Sequence, residues 1–134
     1  MAATETGVWG LQEVRDKQLQ SQWSYDGTKQ LFTFGWNSKG QLGNDKNGDS
    51  GGHYSSPVQL PGTTWNALST YVSGDSYHSL ASKTDGTLWV WGGNPSGELG
   101  LNNTTQYSSP VQLPGTIWGT ELRTGQESSY ALKT

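Results

Sequence analysis

Large and small side chains alternate along Leu31-Phe-Thr-Phe-Gly35, and the same rhythm returns in Leu88-Trp-Val-Trp-Gly92. A period of two places Phe32 and Phe34 on one face of a strand, and Trp89 and Trp91 on one face of another. Asp26-Gly27 and Asp85-Gly86 precede these runs. Asp-Gly beside an alternating segment predicts a hairpin turn. Ser-Pro-Val-Gln-Leu occurs at 56–60 and at 109–113. It predicts an edge-type strand, because proline brings no N–H to a ladder, and the Pro-Gly that follows closes it in a turn. The opening of the chain has another pattern. Val8, Leu11 and Val14, then Leu19 and Trp23, fall at three- or four-residue steps among good helix formers. This predicts a short helix over roughly 10–20.

The strands belong to a repeated unit. Leu31 to Gly43 aligns with Leu88 to Gly100 without a gap, every pair 57 positions apart. Gly35, Asn37, Gly40 and Gly43 meet Gly92, Asn94, Gly97 and Gly100. Tyr54 to Thr63 then recurs letter for letter as Tyr107 to Thr116, now 53 apart, so four extra residues lie within Asn44 to His53. A tryptophan, Trp65 or Trp118, follows each copy. A third phrase, Tyr71 to Thr84, has a weaker partner in Leu122 to Thr134. A fixed period held by glycine, asparagine and aromatics marks one structural unit written twice. The expected fold is all-β with a short N-terminal helix. An arm and helix at 1–22 serve anchoring or assembly, and two β units fill 23–134.

The repeat is circularly offset against the chain. The aromatic strand of the first unit lies near the start, and the partner type it needs, Ser129 to Thr134, lies at the end. Such units need neighbours to bury their faces, and bare edges invite pairing with another chain. The ends are therefore expected to be completed by contacts between chains. The expected core is Phe32, Phe34, Leu42, Trp65, Trp89, Trp91, Leu99 and Trp118. The expected interface residues are Trp9, Leu11, Val14, Leu19, Trp23, Trp36, Tyr130 and Leu132. Trp36 stands out because its counterpart is Gly93; a ring found in one unit only is not required by the repeat.

Composition narrows the partners. Hydrophobic residues make up 31% of 134, a small share for a packed core, but seven tryptophans and nineteen glycines allow one built from large rings and tight turns. The net charge is −3 with eight Lys and Arg and no basic run, which argues against nucleic acid. The chain lacks cysteine, so no disulfide framework is expected. No run approaches the ~20 apolar residues of a membrane span, and no insertion into a membrane is expected.

These phrases resemble the RCC1-like repeat, named for the regulator of chromosome condensation. The resemblance runs through Phe34-Gly35, Asn37, Gly40-Gln41-Leu42-Gly43, Pro57-Val58-Gln59-Leu60, Gly74, His78-Ser79-Leu80-Ala81 and Asp85-Gly86. It returns at Trp91-Gly92, Asn94, Gly97-Glu98-Leu99-Gly100, Pro110-Val111 and Ala131-Leu132. It implies propeller blades of four strands, seven to a ring. This chain departs from that pattern. It carries about two units, one residue too many separates Gly74 from His78, and Ser128 or Ser129 stands where the second unit would have its histidine. Thr4 to Leu19, with Gly7-Val-Trp-Gly-Leu-Gln-Glu-Val14, is similar to the opening of virion structural proteins of marine and cyanobacterial bacteriophages.

Candidate chemistry is sparse. Of two histidines, His53 sits in the inserted loop, and the resemblance gives His78 a fold-serving hydrogen bond. Catalytic and phosphate-binding phrases are missing. Asp45-Lys-Asn-Gly-Asp49 spaces oxygen ligands as a calcium loop does, but Ser50 and Ser56 stand where its glycine and glutamate belong. No enzyme activity, cofactor or metal is expected. The expected function is a structural component on a phage virion, in capsid decoration or in a tail, fibre or appendage, partnered by itself and by other virion proteins. Two alternatives are a module for host glycan or receptor and a cellular RCC1-type regulator or scaffold.

Overall fold

The computed structural model describes residues 29–48, 52–73 and 76–134. The expected helix, the boundary near residue 22, and Trp9, Leu11, Val14, Leu19 and Trp23 lie outside the described residues. The described residues form eight strands in order: β1 (Phe32–Gly35), β2 (Tyr54–Gln59), β3 (Trp65–Ser73), β4 (Ser76–Lys83), β5 (Leu88–Gly92), β6 (Tyr107–Leu113), β7 (Trp118–Thr124) and β8 (Ser129–Lys133). They form three antiparallel sheets. β3-β4-β5-β6 is a four-stranded blade, and the pairs β1-β2 and β7-β8 flank it. The described residues thus form half a blade, one blade and another half. The offset read from the sequence is visible as topology. The two Ser-Pro-Val-Gln strands lie at sheet edges, as their prolines require.

The blade is closed by the Asp85-Gly86 hairpin. Gly86 takes φ +81°, and the Asp85 carboxylate accepts from the Thr87 N–H at 3.0 Å and its hydroxyl at 2.6 Å. Those two bonds hold the Asp85 carboxyl below its ordinary pKa. Within the sheet, β4 and β5 pair His78 with Gly92, Leu80 with Val90 and Ala81 with Trp89. Glycine at 92 is obligatory. Its φ is +103°, and a Cβ there would stand 2.3 Å from the Tyr77 carbonyl oxygen.

Two cores lie on the two faces of this blade. Trp65, Ala81 and Trp91 pack with Leu60 on the face toward β1-β2. Leu80, Leu88, Val90 and Leu99 pack with Leu122 on the face toward β7-β8. Trp118 and Ala131 join the second core half-buried, and Trp89 joins the first. Of the expected core, Leu42, Trp65, Trp91 and Leu99 are buried. Phe32 and Phe34 are not: they stand 46% and 63% exposed. Alternation did put them on one face, but that face of β1 lines an open groove. The same face of β5 is covered by Leu60; among the described residues no strand covers it on β1.

Polar pins set the loop after each aromatic strand. The Asn37 side chain donates to Asn44 Oδ1 and the Lys46 carbonyl, and accepts from the Leu42 N–H. Asn94 repeats this, donating to the Asn103 and Thr105 carbonyls and accepting from the Leu99 N–H at 2.9 Å. Both amides are fully buried. Gln41 and Glu98 likewise accept from the N–H two residues earlier, at Lys39 and Ser96. The sheets are also tied to each other. The Gln41 carbonyl accepts from the Trp91 indole at 2.7 Å and from the Ser79 hydroxyl. His78 Nε2 lies 3.0 Å from Ser129 Oγ. A residue of β8 thus meets the histidine of β4 across the boundary between the two sheets.

Two outcomes follow from these bonds. Asn94→Ala leaves the Leu99 N–H and two carbonyls without their partner, and should cost about 2–3 kcal/mol in denaturant unfolding; a loss under ~0.5 kcal/mol would show that the pin is dispensable. Burial of the His78 ring lowers its pKa below the ordinary 6.5, against opposing effects of Glu98 and the Ser128 backbone. The unfolded chain then binds the extra proton, so stability present above pH ~6.5 falls as pH drops below it. Thermal melts between pH 7.5 and 5 should show that loss, and His78→Gln should flatten it.

Candidate assembly interface

The candidate site is a pair of sheet ends. Among the described residues β1 pairs only with β2, and β8 only with β7. Each therefore has one edge whose N–H and C=O groups meet no strand. Large apolar side chains accompany these edges. Phe32 and Phe34 lie out of β1, while Tyr130 and Leu132 lie out of β8, 65% and 59% exposed. Both sets alternate with inward residues, so each is one face of a strand. Tyr130 and Leu132, expected from the sequence at an interface, are exposed. Phe32 and Phe34, expected in the core, are exposed as well.

A cavity accompanies each edge. Beside β1, Phe32, Thr33, Leu68, Thr70, Ser79 and Trp91 line an open groove of about 390 Å³. Beside β8, a second groove of about 390 Å³ runs over Leu99, Gly100, Leu113 and Tyr130. Apolar surface in a groove next to an unpaired strand edge suits an added β segment, with main-chain bonds for affinity and alternate side chains for specificity.

Two further features carry exposed or cation-bearing aromatic rings. Trp36 is exposed and packs on Tyr77 at 5.5 Å and on His53 at 6.3 Å between ring centres. The Asn37 N–H donates to His53 Nδ1 at 2.9 Å, so the inserted loop returns to the Trp36 corner. Sequence reasoning had treated Trp36 and His53 separately; an insertion adjacent to the unmatched ring was the available signal. Lys83 lines the groove at Trp65 and Trp89, its Nζ 4.6 and 4.4 Å from the two ring centres. Lys133 repeats the contact over Trp118 at 5.0 Å. A cation on these ring faces is a repeat feature of the fold. Among the described residues no group of three His, Cys, Asp or Glu is arranged to hold a metal ion. Asp45 instead accepts from the Ser109 hydroxyl, tying the first loop to β6.

Comparison with known proteins agrees with this architecture. Residues 29–82 match the regulator of chromosome condensation (RCC1) repeat, and residues 72–98 match a second form of that repeat. The chain is 38% identical over 90 residues to the ultraviolet-B receptor UVR8 of Arabidopsis thaliana, covering 67% of this chain and 19% of the receptor. It is 36% identical over 84 residues to the probable E3 ubiquitin-protein ligase HERC3 of Homo sapiens, covering 63% of this chain and 8% of the ligase. Human WBSCR16 superposes with a TM-score of 0.59 at 26% identity, over 80% of this chain and 27% of that structure. The chain thus spans about a fifth or less of the curated relatives it matches. Two successive matches across residues 29–98, folded as a blade between half-blades, show that this chain carries RCC1-type repeats.

Proposed function

We propose that this chain is a non-enzymatic structural subunit of a bacteriophage virion, in capsid decoration or in a tail, fibre or appendage. It assembles through its open β edges and the apolar side chains beside them. The observation that carries the assembling role is the joint exposure of Phe32, Phe34, Tyr130 and Leu132 along two unpaired edges. Burying one such side chain is worth about 1.5–3 kcal/mol, and a strand edge left bare is a template for another strand. The virion placement rests on the Thr4 to Leu19 phrase, and residues 1–22 would engage a neighbouring virion protein. Its relatives include a receptor and a probable ubiquitin ligase, but those names describe much longer proteins.

Light scattering should give a mass that is a multiple of 14.5 kDa, and Phe34→Asp should shift it toward the single chain. A wild-type chain that stays monomeric up to high concentration would remove the assembling role. Density for this fold in cryo-EM maps of purified particles tests the virion placement, and its absence from every particle would reject it.

A second reading, host-glycan binding, is favoured by the exposed Trp36 ring beside Tyr77, since aromatic faces stack on sugars. A glycan array probed with the assembled protein should then give hits that Trp36→Ala abolishes; an array without hits ends this reading.

A further inference from the structure

The central blade shows how a second half-blade would complete the ends. β7-β8 repeats β3-β4 in register. Trp118 pairs with Lys133 as Trp65 does with Lys83, Leu122 with Ala131 as Leu68 with Ala81, and Thr124 with Ser129 as Thr70 with Ser79. Ser129, Tyr130, Ala131 and Leu132 are therefore the equivalents of Ser79, Leu80, Ala81 and Ser82. β1 repeats β5, so Leu31, Phe32, Thr33, Phe34 and Gly35 stand for Leu88, Trp89, Val90, Trp91 and Gly92. The described chain thus holds the first half of a blade at one end and the last half at the other.

We infer that β8 of one copy pairs antiparallel with β1 of a second copy, in the register β4 and β5 use, so that two half-blades make one blade. The inference rests on the assembling role proposed above and names its contact. Carried over, Leu132 faces Leu31 of the second copy, Ala131 faces Phe32, Tyr130 faces Thr33, and Ser129 faces Phe34.

Three observations fit this junction. First, Gly35 has φ +106° like Gly92, but a Cβ on it meets nothing within 4 Å, whereas one on Gly92 meets Tyr77 and His78. The close approach that the glycine permits is made at β5 and left open at β1. Second, Leu68 is 48% exposed while its equivalent Leu122 is 3% exposed. Leu122 is covered in the core that holds Leu80. Tyr130, the equivalent of Leu80, would cover Leu68 of the second copy and fill the groove beside β1. Third, Trp91 packs against Leu60, with Gly43 close to both. Phe34 of the second copy would lie likewise on Leu113 and Gly100, in the groove beside β8.

A second copy is the occupant that covers both ends at once. Any segment lying only in the β1 groove leaves the β8 edge, Tyr130 and Leu132 uncovered. The contact is also head-to-tail, joining different surfaces of the two copies, so it repeats into a closed ring or a filament. The described residues of each copy supply two blades, so a ring closed through them alone holds an even number.

The absence of cysteine makes a clean test. Residues directly opposed in an antiparallel pair have Cα atoms about 4.5–5.5 Å apart, within disulfide reach. Thr33→Cys is mixed with Tyr130→Cys under mild oxidation, and Phe32→Cys with Tyr130→Cys as the pair whose thiols point to opposite faces. Circular dichroism melts first show that each single variant is folded. The expected result is a disulfide-linked dimer from the first mixture and none from the second. Folded variants that fail to link, or that link equally in both mixtures, overturn the register. If light scattering still shows an assembly in that case, the junction is wrong and the assembling role survives. If the chain is monomeric throughout, as it would be with its own residues 1–28 seated in the groove, both fall.

Discussion

A strand with one neighbour leaves half of its backbone groups without a ladder, and this constraint governs the molecule. The central blade shows the satisfied state: β4 and β5 each have partners on both sides, and the side chains on both faces are buried. The flanking pairs show the unsatisfied one. Their inward faces pack on the blade, while their free edges and outward faces meet no strand among the described residues. Backbone donors and acceptors can turn to water at modest cost. Phenylalanine, tyrosine and leucine in a row along the same edges cannot, and their exposure is what separates these edges from ordinary ones.

The rest of the fold makes those ends rigid. Buried Asn37 and Asn94 each hold a glycine-rich loop by bonds on both sides of the amide. Trp91 and Ser79 converge on one carbonyl of the first loop. On the other side His78 reaches Ser129. Each half-blade is thus fixed by at least one polar bond as well as by a hydrophobic core. A partner would meet a preformed edge rather than one it has to order, which lowers the entropic cost of association.

Much of this was legible in the sequence. Period-two alternation, Asp85-Gly86, the paired asparagines and the two Ser-Pro strands mapped onto strands, turn, loop pins and edges. The circular offset of the repeat foretold an unmatched strand at either end, and among the described residues that strand belongs to a half-blade. Two things were not legible. Alternation tells which side chains share a face but not what covers that face, so Phe32 and Phe34 were read as core by analogy with Trp89 and Trp91. The contact of His78 with Ser129 was also hidden, because alignment compares equivalent positions and does not show which residues meet between sheets. Across a blade boundary the two residues are partners. Trp36 was noticed as unmatched, yet its contact with His53 depends on an inserted loop whose path alignment does not give.

The central claim is that the edges of β1 and β8 bury each other between copies. Amide hydrogen exchange followed by mass spectrometry, over a wide range of protein concentration, tests it most directly. The account predicts that peptides holding Phe32–Gly35 and Ser129–Lys133 become protected together as concentration rises, while the central blade stays protected throughout. Exchange at both edges that is independent of concentration would contradict it.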